Sequence, residues 1–174
     1  MKGDFLVEKT VITAIIVVAV VVAVIVAIVG VIIGITFVNL NKEKTSITAS
    51  SFYTTMSQKG YSVQDASSQF SDYNYVKQAY IAASKDLSYQ IEFYELLDDS
   101  YATSFYNNNK SIFESSKGNA SAETSVGLKN YSKYTLSSNG EYMVVSRIDN
   151  TVIYVKVDDS YKDTVKAILD ELGY

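Results

Sequence analysis

Any chemistry done by this chain must come from carboxylates, hydroxyls, phenols and lysines, because it contains no His and no Cys. That excludes Ser-His-Asp and Cys-His nucleophiles and the usual zinc and haem ligands. No S-x-x-K motif offers a Ser-Lys pair, and neither G-x-x-x-x-G-K-[ST] nor G-x-G-x-x-G is present to cradle a nucleotide. Two carboxylates, Glu92 and Glu95, lie three apart in a segment read as a strand. Side chains alternate faces along a strand, so this spacing puts them on opposite sides and argues against a shared acid/base site. Asp98-Asp99 and Asp158-Asp159 each precede a helical pattern, where Asp caps free backbone N–H groups. No D-x-[DN]-x-[DN]-G loop turns them into a calcium site. The residues therefore predict no enzyme, no catalytic residue, no metal ligand and no cofactor.

Tyrosine is the unusual resource, with 15 residues against no Trp. Tyr73, Tyr75, Tyr80, Tyr89, Tyr94, Tyr131, Tyr134, Tyr142 and Tyr154 fall in or beside expected strands. Tyrosine favours half-buried strands, which accounts for most of them. An exposed tyrosine face would instead suit a glycan or a protein partner, since the ring supplies area and a hydroxyl at small entropic cost. The absence of Trp weighs against the glycan. The sequons at Asn109, Asn119 and Asn130 matter only in a eukaryotic source.

These residues need a scaffold, and the chain divides plainly. Residues 1–9 are a polar tail. Thr10 to Leu40 holds no charge and is mostly Val, Ile and Ala, longer than the roughly 20 residues a bilayer-crossing helix needs. In lipid such a run must be helical, because its backbone has no water to bond. It is about twice the length of a signal-peptide core and has no A-x-A site after it, so it reads as an uncleaved signal anchor. Ala19, Ala23, Ala27, Gly30 and Gly34 form a small-residue stripe on one face and predict helix–helix packing into a homo-oligomer. Lys2 and Lys9 face Lys42 and Lys44 across it, so charge hardly sets orientation. The Ser-, Thr-, Asn- and Tyr-rich remainder predicts a C-terminal domain outside a single-pass cell membrane.

Residues 41–46 are a short linker, and 47–174 have the length of one ordinary domain. Its helices are expected from Thr48 to Gly60, from Asp98 to about Ser116 and from about Asp158 to Gly173. The second is expected to bury Ala102, Phe105, Asn109, Ile112 and Phe113 on one side; the third, Tyr161, Val165, Ile168, Leu169 and Leu172. Strands are expected over Val63–Phe70, Val76–Ala83, Ser88–Leu96, Tyr131–Leu136, Glu141–Ile148 and Thr151–Val157, with Lys117–Leu128 an exposed loop. Asp149-Asn150 makes a two-residue hairpin that pairs Ser146 with Ile153, Val144 with Val155 and Tyr142 with Val157. The expected fold is α+β in the order α-βββ-α-βββ-α, an antiparallel sheet with its helices packed on one face. Two helices end in Gly-Tyr, which raises a duplication; so few shared residues favour coincidence.

The formal charge of −4 and a single Arg make the domain a poor nucleic-acid binder. Whole segments resemble uncharacterised single-pass membrane-anchored proteins of Gram-positive, Clostridia-like bacteria: YQIEFYEL (Tyr89 to Leu96), SFYNNNKSIFE (Ser104 to Glu114), VVSRIDNTVIYV (Val144 to Val155) and the terminal LGY. That resemblance implies a bacterial surface location and no particular activity. Gly3 followed five positions later by Glu8, ahead of the apolar run, is similar to the processing site of type IV pilins, although Asp4 and Lys9 depart from it. The function expected is a membrane-anchored extracytoplasmic module that binds, with the lipid bilayer and a cell-surface protein as partners. The alternative is a structural or assembly component, pilin-like or self-associating through its helix.

Overall fold

The structure, a computed structural model, describes residues 43–174, which form one compact unit. The apolar run, its small-residue stripe and the Gly3/Glu8 pattern lie outside the described residues. Among those described, no helix is long and apolar enough to cross a membrane.

Helix α1 (Ala49–Gln58) starts where Thr48 accepts the Ser51 N–H and buries Phe52 and Met56. Strands β1 (Ser62–Asp65), β2 (Val76–Ala83) and β3 (Gln90–Leu96) follow as a meander, with a 3-10 turn (Ser67–Phe70) between the first two. Helix α2 (Asp99–Ser115) then carries the chain to the far edge of the sheet. There β4 (Ser121–Gly127), β5 (Tyr131–Ser138), β6 (Glu141–Ile148) and β7 (Thr151–Asp158) return inward, and α3 (Lys162–Glu171) ends the domain. The seven strands lie in the order β1-β2-β3-β7-β6-β5-β4, every neighbouring pair antiparallel. The two meanders meet where β3 pairs with β7.

The α+β class, the three helices and the hairpin register, Ser146 to Ile153, Val144 to Val155 and Tyr142 to Val157, agree with expectation. Two features of the expected architecture do not. Helices cover both faces of the sheet, not one. Helices α1 and α3 pack over Ile91, Phe93, Val144, Ile153 and Val155, while α2 packs over Tyr94, Leu96, Leu136, Met143, Val145 and Val152. The cause is visible in β6, where Tyr142, Met143, Val144 and Val145 are all buried. A strand buried on both faces carries a continuous apolar run in place of an alternation. The second half also has four strands. Ser121–Gly127, expected as loop, is the edge strand β4, exposed along its whole length. A strand exposed on both sides shows no alternation to read.

Smaller departures have similar causes. The first strand covers only Ser62–Asp65, and Ser67–Phe70 is a 3-10 turn. On α2 the buried side chains are Ala102, Tyr106 and Phe113, whereas Ile112 is 53% exposed. The β5–β6 connection is Asn139-Gly140, both at positive φ (54° and 80°), the left-handed pair that a two-residue hairpin of the primed type needs. The residues read as a linker are attached to the domain: Glu43 pairs with Lys129, the Lys44 N–H donates to Asn130, and Ser46 meets Asp149.

Candidate functional site

The side chains that could do chemistry are mostly separated by the fold. Glu92 accepts from the Tyr94 hydroxyl and from Gln90, while Glu95 pairs with Lys77 at 2.7 Å. The two carboxylates share no partner. Asp98 caps α2, accepting the N–H groups of Ser100 and Tyr101 at 2.8 and 3.1 Å. Asp158 caps the 3-10 turn Asp159–Tyr161, accepting the Ser160 N–H at 2.9 Å. Both carboxyls are held below the usual range, chiefly by the hydroxyls of Ser100 and Ser160, which also donate to them at 2.6 and 2.5 Å, with the backbone N–H bonds adding to the shift. Asp98 and Asp158 are therefore structural caps, and Asp99 and Asp159 lie in the first turns that follow them. Among the described residues no three carboxylates converge.

The tyrosines sort into two groups. Tyr94, Tyr131, Tyr134 and Tyr142 are buried. Tyr154 packs half-buried on Phe113, Tyr89 against Tyr161 with its hydroxyl bonded to that of Tyr61, and Tyr80 on Tyr53. These are structural uses, in keeping with the preference of tyrosine for half-buried strands. Tyr73 and Tyr75 are different, because they wall a groove.

That groove, of about 580 Å³, lies between the 3-10 turn, the start of β2 and the outer side of α2. Local rules build it. The Ala66 N–H bonds to Ala79 and anchors the 3-10 turn; Tyr73 N–H to Phe70 and Val76 N–H to Tyr73 then fold the following segment tightly. That segment presents Tyr73 and Tyr75 edge to face, with centroids 5.7 Å apart. The Asp98 cap fixes the first turn of α2, which puts Tyr101 parallel to Tyr75 at 5.2 Å and 9°. Beneath them Tyr94 meets Phe70 edge-on at 5.4 Å and Phe105 at 4.8 Å. Phe70 and Phe105 form the floor, and Ser104, Asn108 and Asn109 supply the polar side. Asn109 donates to the Phe105 carbonyl at 2.8 Å, which orients its amide. Tyr73 and Tyr101 are 51% and 40% exposed, so their rings are open to a ligand.

The lining has no ionisable group besides tyrosine. Such a surface offers flat apolar rings, amides and a hydroxyl, which orient and bind a ligand but do not activate a nucleophile. Tyr101 and Phe70 were not legible as partners of Tyr73 and Tyr75. The one local signal was the Asp98 cap, which puts residue 101 in the first helical turn. Burial pushes the Tyr94 phenol well above its ordinary range, and its bond to Glu92 adds to the shift. It therefore stays neutral and supports the rings above it. No protein-family model matches this chain, and comparisons with curated proteins and with solved structures found no match.

Proposed function

We propose that this chain is a membrane-anchored extracytoplasmic binding module, and that an extended peptide segment of a cell-surface protein occupies the tyrosine groove. The observation behind this reading is the groove itself. Three tyrosines from two separate segments converge on one open hollow, although a core needs no such exposed stack. Ridged aromatic grooves accept extended and proline-containing segments, whose rigid backbones lose little entropy on docking. The amides of Asn108 and Asn109 are placed to bond a peptide backbone, and an uncharged lining favours an uncharged stretch. The location rests on the long apolar run and on the polar composition of the remainder.

Panning full-length protein in neutral-lipid nanodiscs against a peptide-display library tests this reading. Selected peptides should bind at least about tenfold more weakly to Tyr101→Ala and Tyr73→Ala, since truncating a central aromatic anchor costs over 1 kcal/mol. Both rings are substantially exposed, so the variants should fold. Peptides that bind the variants as well as the parent, or a library that yields none, would sink the proposal; binding confined to a glycan array would reassign the ligand. Protease added to intact cells should digest the domain, and resistance until lysis would reverse the topology.

A further inference from the structure

A second hollow, of about 310 Å³, lies on the other face of the sheet, between β4, β5 and the first turns of α3. Lys133, Lys162 and Lys166 line it together with the hydroxyl-bearing Thr124, Thr135 and Ser137. This is an unexpected place for three ammonium groups, because like charges gathered in a hollow repel and are partly stripped of water. None of the three pairs with an Asp or Glu side chain among the described residues. Lys59, Lys77, Lys110, Lys117, Lys129 and Lys156 all do. Glu123, the acidic residue of the lining, is engaged by Lys117 and by the Tyr134 hydroxyl.

Two of the three cations are held in place, and Lys166 is exposed. Lys133, part-buried, donates to the Tyr174 main-chain oxygen at 3.0 Å. Lys162 donates to Ser137 Oγ at 2.9 Å and stands 5.4 Å from the centre of the Tyr142 ring. Burial lowers the Lys133 pKa; Asp170 opposes the shift, and Lys44 and Lys166 add to it. An anion in the hollow would relieve both the repulsion and the lost hydration.

We infer that this hollow is a phosphate-binding site, in which the ammonium groups of Lys133, Lys162 and Lys166 and the hydroxyls of Thr135 and Ser137 surround a phosphate group. Phosphate suits the lining better than a carboxylate. Its oxygens are spread tetrahedrally and can accept from several donors at once, and a lysine meets it as a point charge with rotatable donors. The domain as a whole is acidic, so capture depends on these close contacts and not on long-range attraction. A free phosphate ester and an anionic lipid headgroup present the same chemistry.

Lysine-acetylation footprinting, read by mass spectrometry on full-length protein, decides the matter. In neutral phosphatidylcholine nanodiscs, inorganic phosphate at constant ionic strength should protect Lys133, Lys162 and Lys166 saturably and leave exposed Lys85 unchanged. A Lys162→Gln/Lys166→Gln variant should raise the half-protecting concentration at Lys133 by at least about tenfold, since charged hydrogen bonds are among the stronger ones. Both side chains reach solvent, and an unchanged footprint at the remaining lysines checks the fold. If phosphatidylglycerol nanodiscs protect the three lysines with no phosphate added, the source is a headgroup; protection by soluble phosphate alone makes it a free ester. Absence of protection in every arm overturns the site, as does protection equal at Lys85 or unaltered in the variant.

Discussion

Arg147, the one arginine of the chain, is only 7% exposed on the sheet face beneath α2. Its Nη1 donates to the Asp149 carbonyl at 3.2 Å, while its Nε has no partner among the described residues, and no carboxylate pairs with it there. A buried cation without a counter-ion gives little net stability, because its lost hydration offsets what it gains. Replacing it with an apolar residue of similar length is therefore nearly free. Arg147→Met should leave the unfolding free energy in urea within about 1 kcal/mol of the parent, or raise it. A loss beyond about 3 kcal/mol would reveal a partner that this geometry lacks. Tyr174 shows the opposite case. Its buried hydroxyl meets Thr151, which also donates to the Ile148 carbonyl at 2.7 Å. Removing that hydroxyl in Tyr174→Phe should cost about 1 kcal/mol, the usual worth of one intramolecular hydrogen bond.

The elements end by a shared rule that explains the repeated Gly-Tyr. After α1 the Tyr61 N–H bonds to Met56 and the Gly60 N–H to Ser57; after α3 the Tyr174 N–H bonds to Leu169 and the Gly173 N–H to Asp170. Both are Schellman caps, which need a left-handed glycine and favour an apolar residue after it. Gly60 and Gly173 have φ of 84° and 85°, and all four apolar partners belong to the core formed with α1 and α3. Helix-ending physics thus yields the resemblance without a duplication. Gly60→Ala should cost about 1 kcal/mol, since a Cβ disfavours that φ even though nothing crowds it. Gly127→Ala, at ordinary φ with equal space, should be neutral or slightly stabilising in the same denaturation experiment. The apolar run carries the assembly alternative. If self-association through the Gly30 stripe is its role, Gly30→Leu with Gly34→Leu should convert oligomers to monomers by native mass spectrometry in detergent. An unchanged mass would remove the main support for an assembly function.

At the scale of the molecule, the tyrosine-rich core makes stability depend on alkaline pH. Burial, the leading cause in each case, raises the pKa of Tyr61, Tyr94, Tyr131, Tyr134, Tyr154 and Tyr174, and pushes Tyr142 up to about 12 from the ordinary 10.0. Phenols raised in this way lose their protons first in the unfolded chain. Stability is therefore fully present below about pH 10 and is lost as pH climbs through the folded values. Each such phenol steepens the decline by up to roughly 1.4 kcal/mol per pH unit. The tyrosinate absorbance contributed by this buried set should rise together with the loss of circular dichroism, in one cooperative step above pH 10. Titration of the buried set at its ordinary value, with the fold intact, would contradict this account.

Much of the domain is legible in its sequence because local rules act within a few residues. The Thr48 and Asp98 caps, the glycine stops at Gly60 and Gly173, and the β6–β7 register each depend on neighbours in the chain. The exclusion of histidine and cysteine chemistry needs only composition. Tertiary structure alone decided the rest. Helix α2 crosses to the second sheet face because β6 and β7 are apolar on both sides, a pattern that sets two-sided burial without naming which helix covers which face. Edge strand β4 exists through its pairing with β5 and has no periodicity of its own. The groove joins Phe70, Tyr73 and Tyr75 to Tyr101 and Phe105 across β3, and the lysine hollow joins β5 to α3. Contacts between segments so far apart carry no local signature. The same alphabet of tyrosines and lysines serves core, surface and site, and only the fold says which is which.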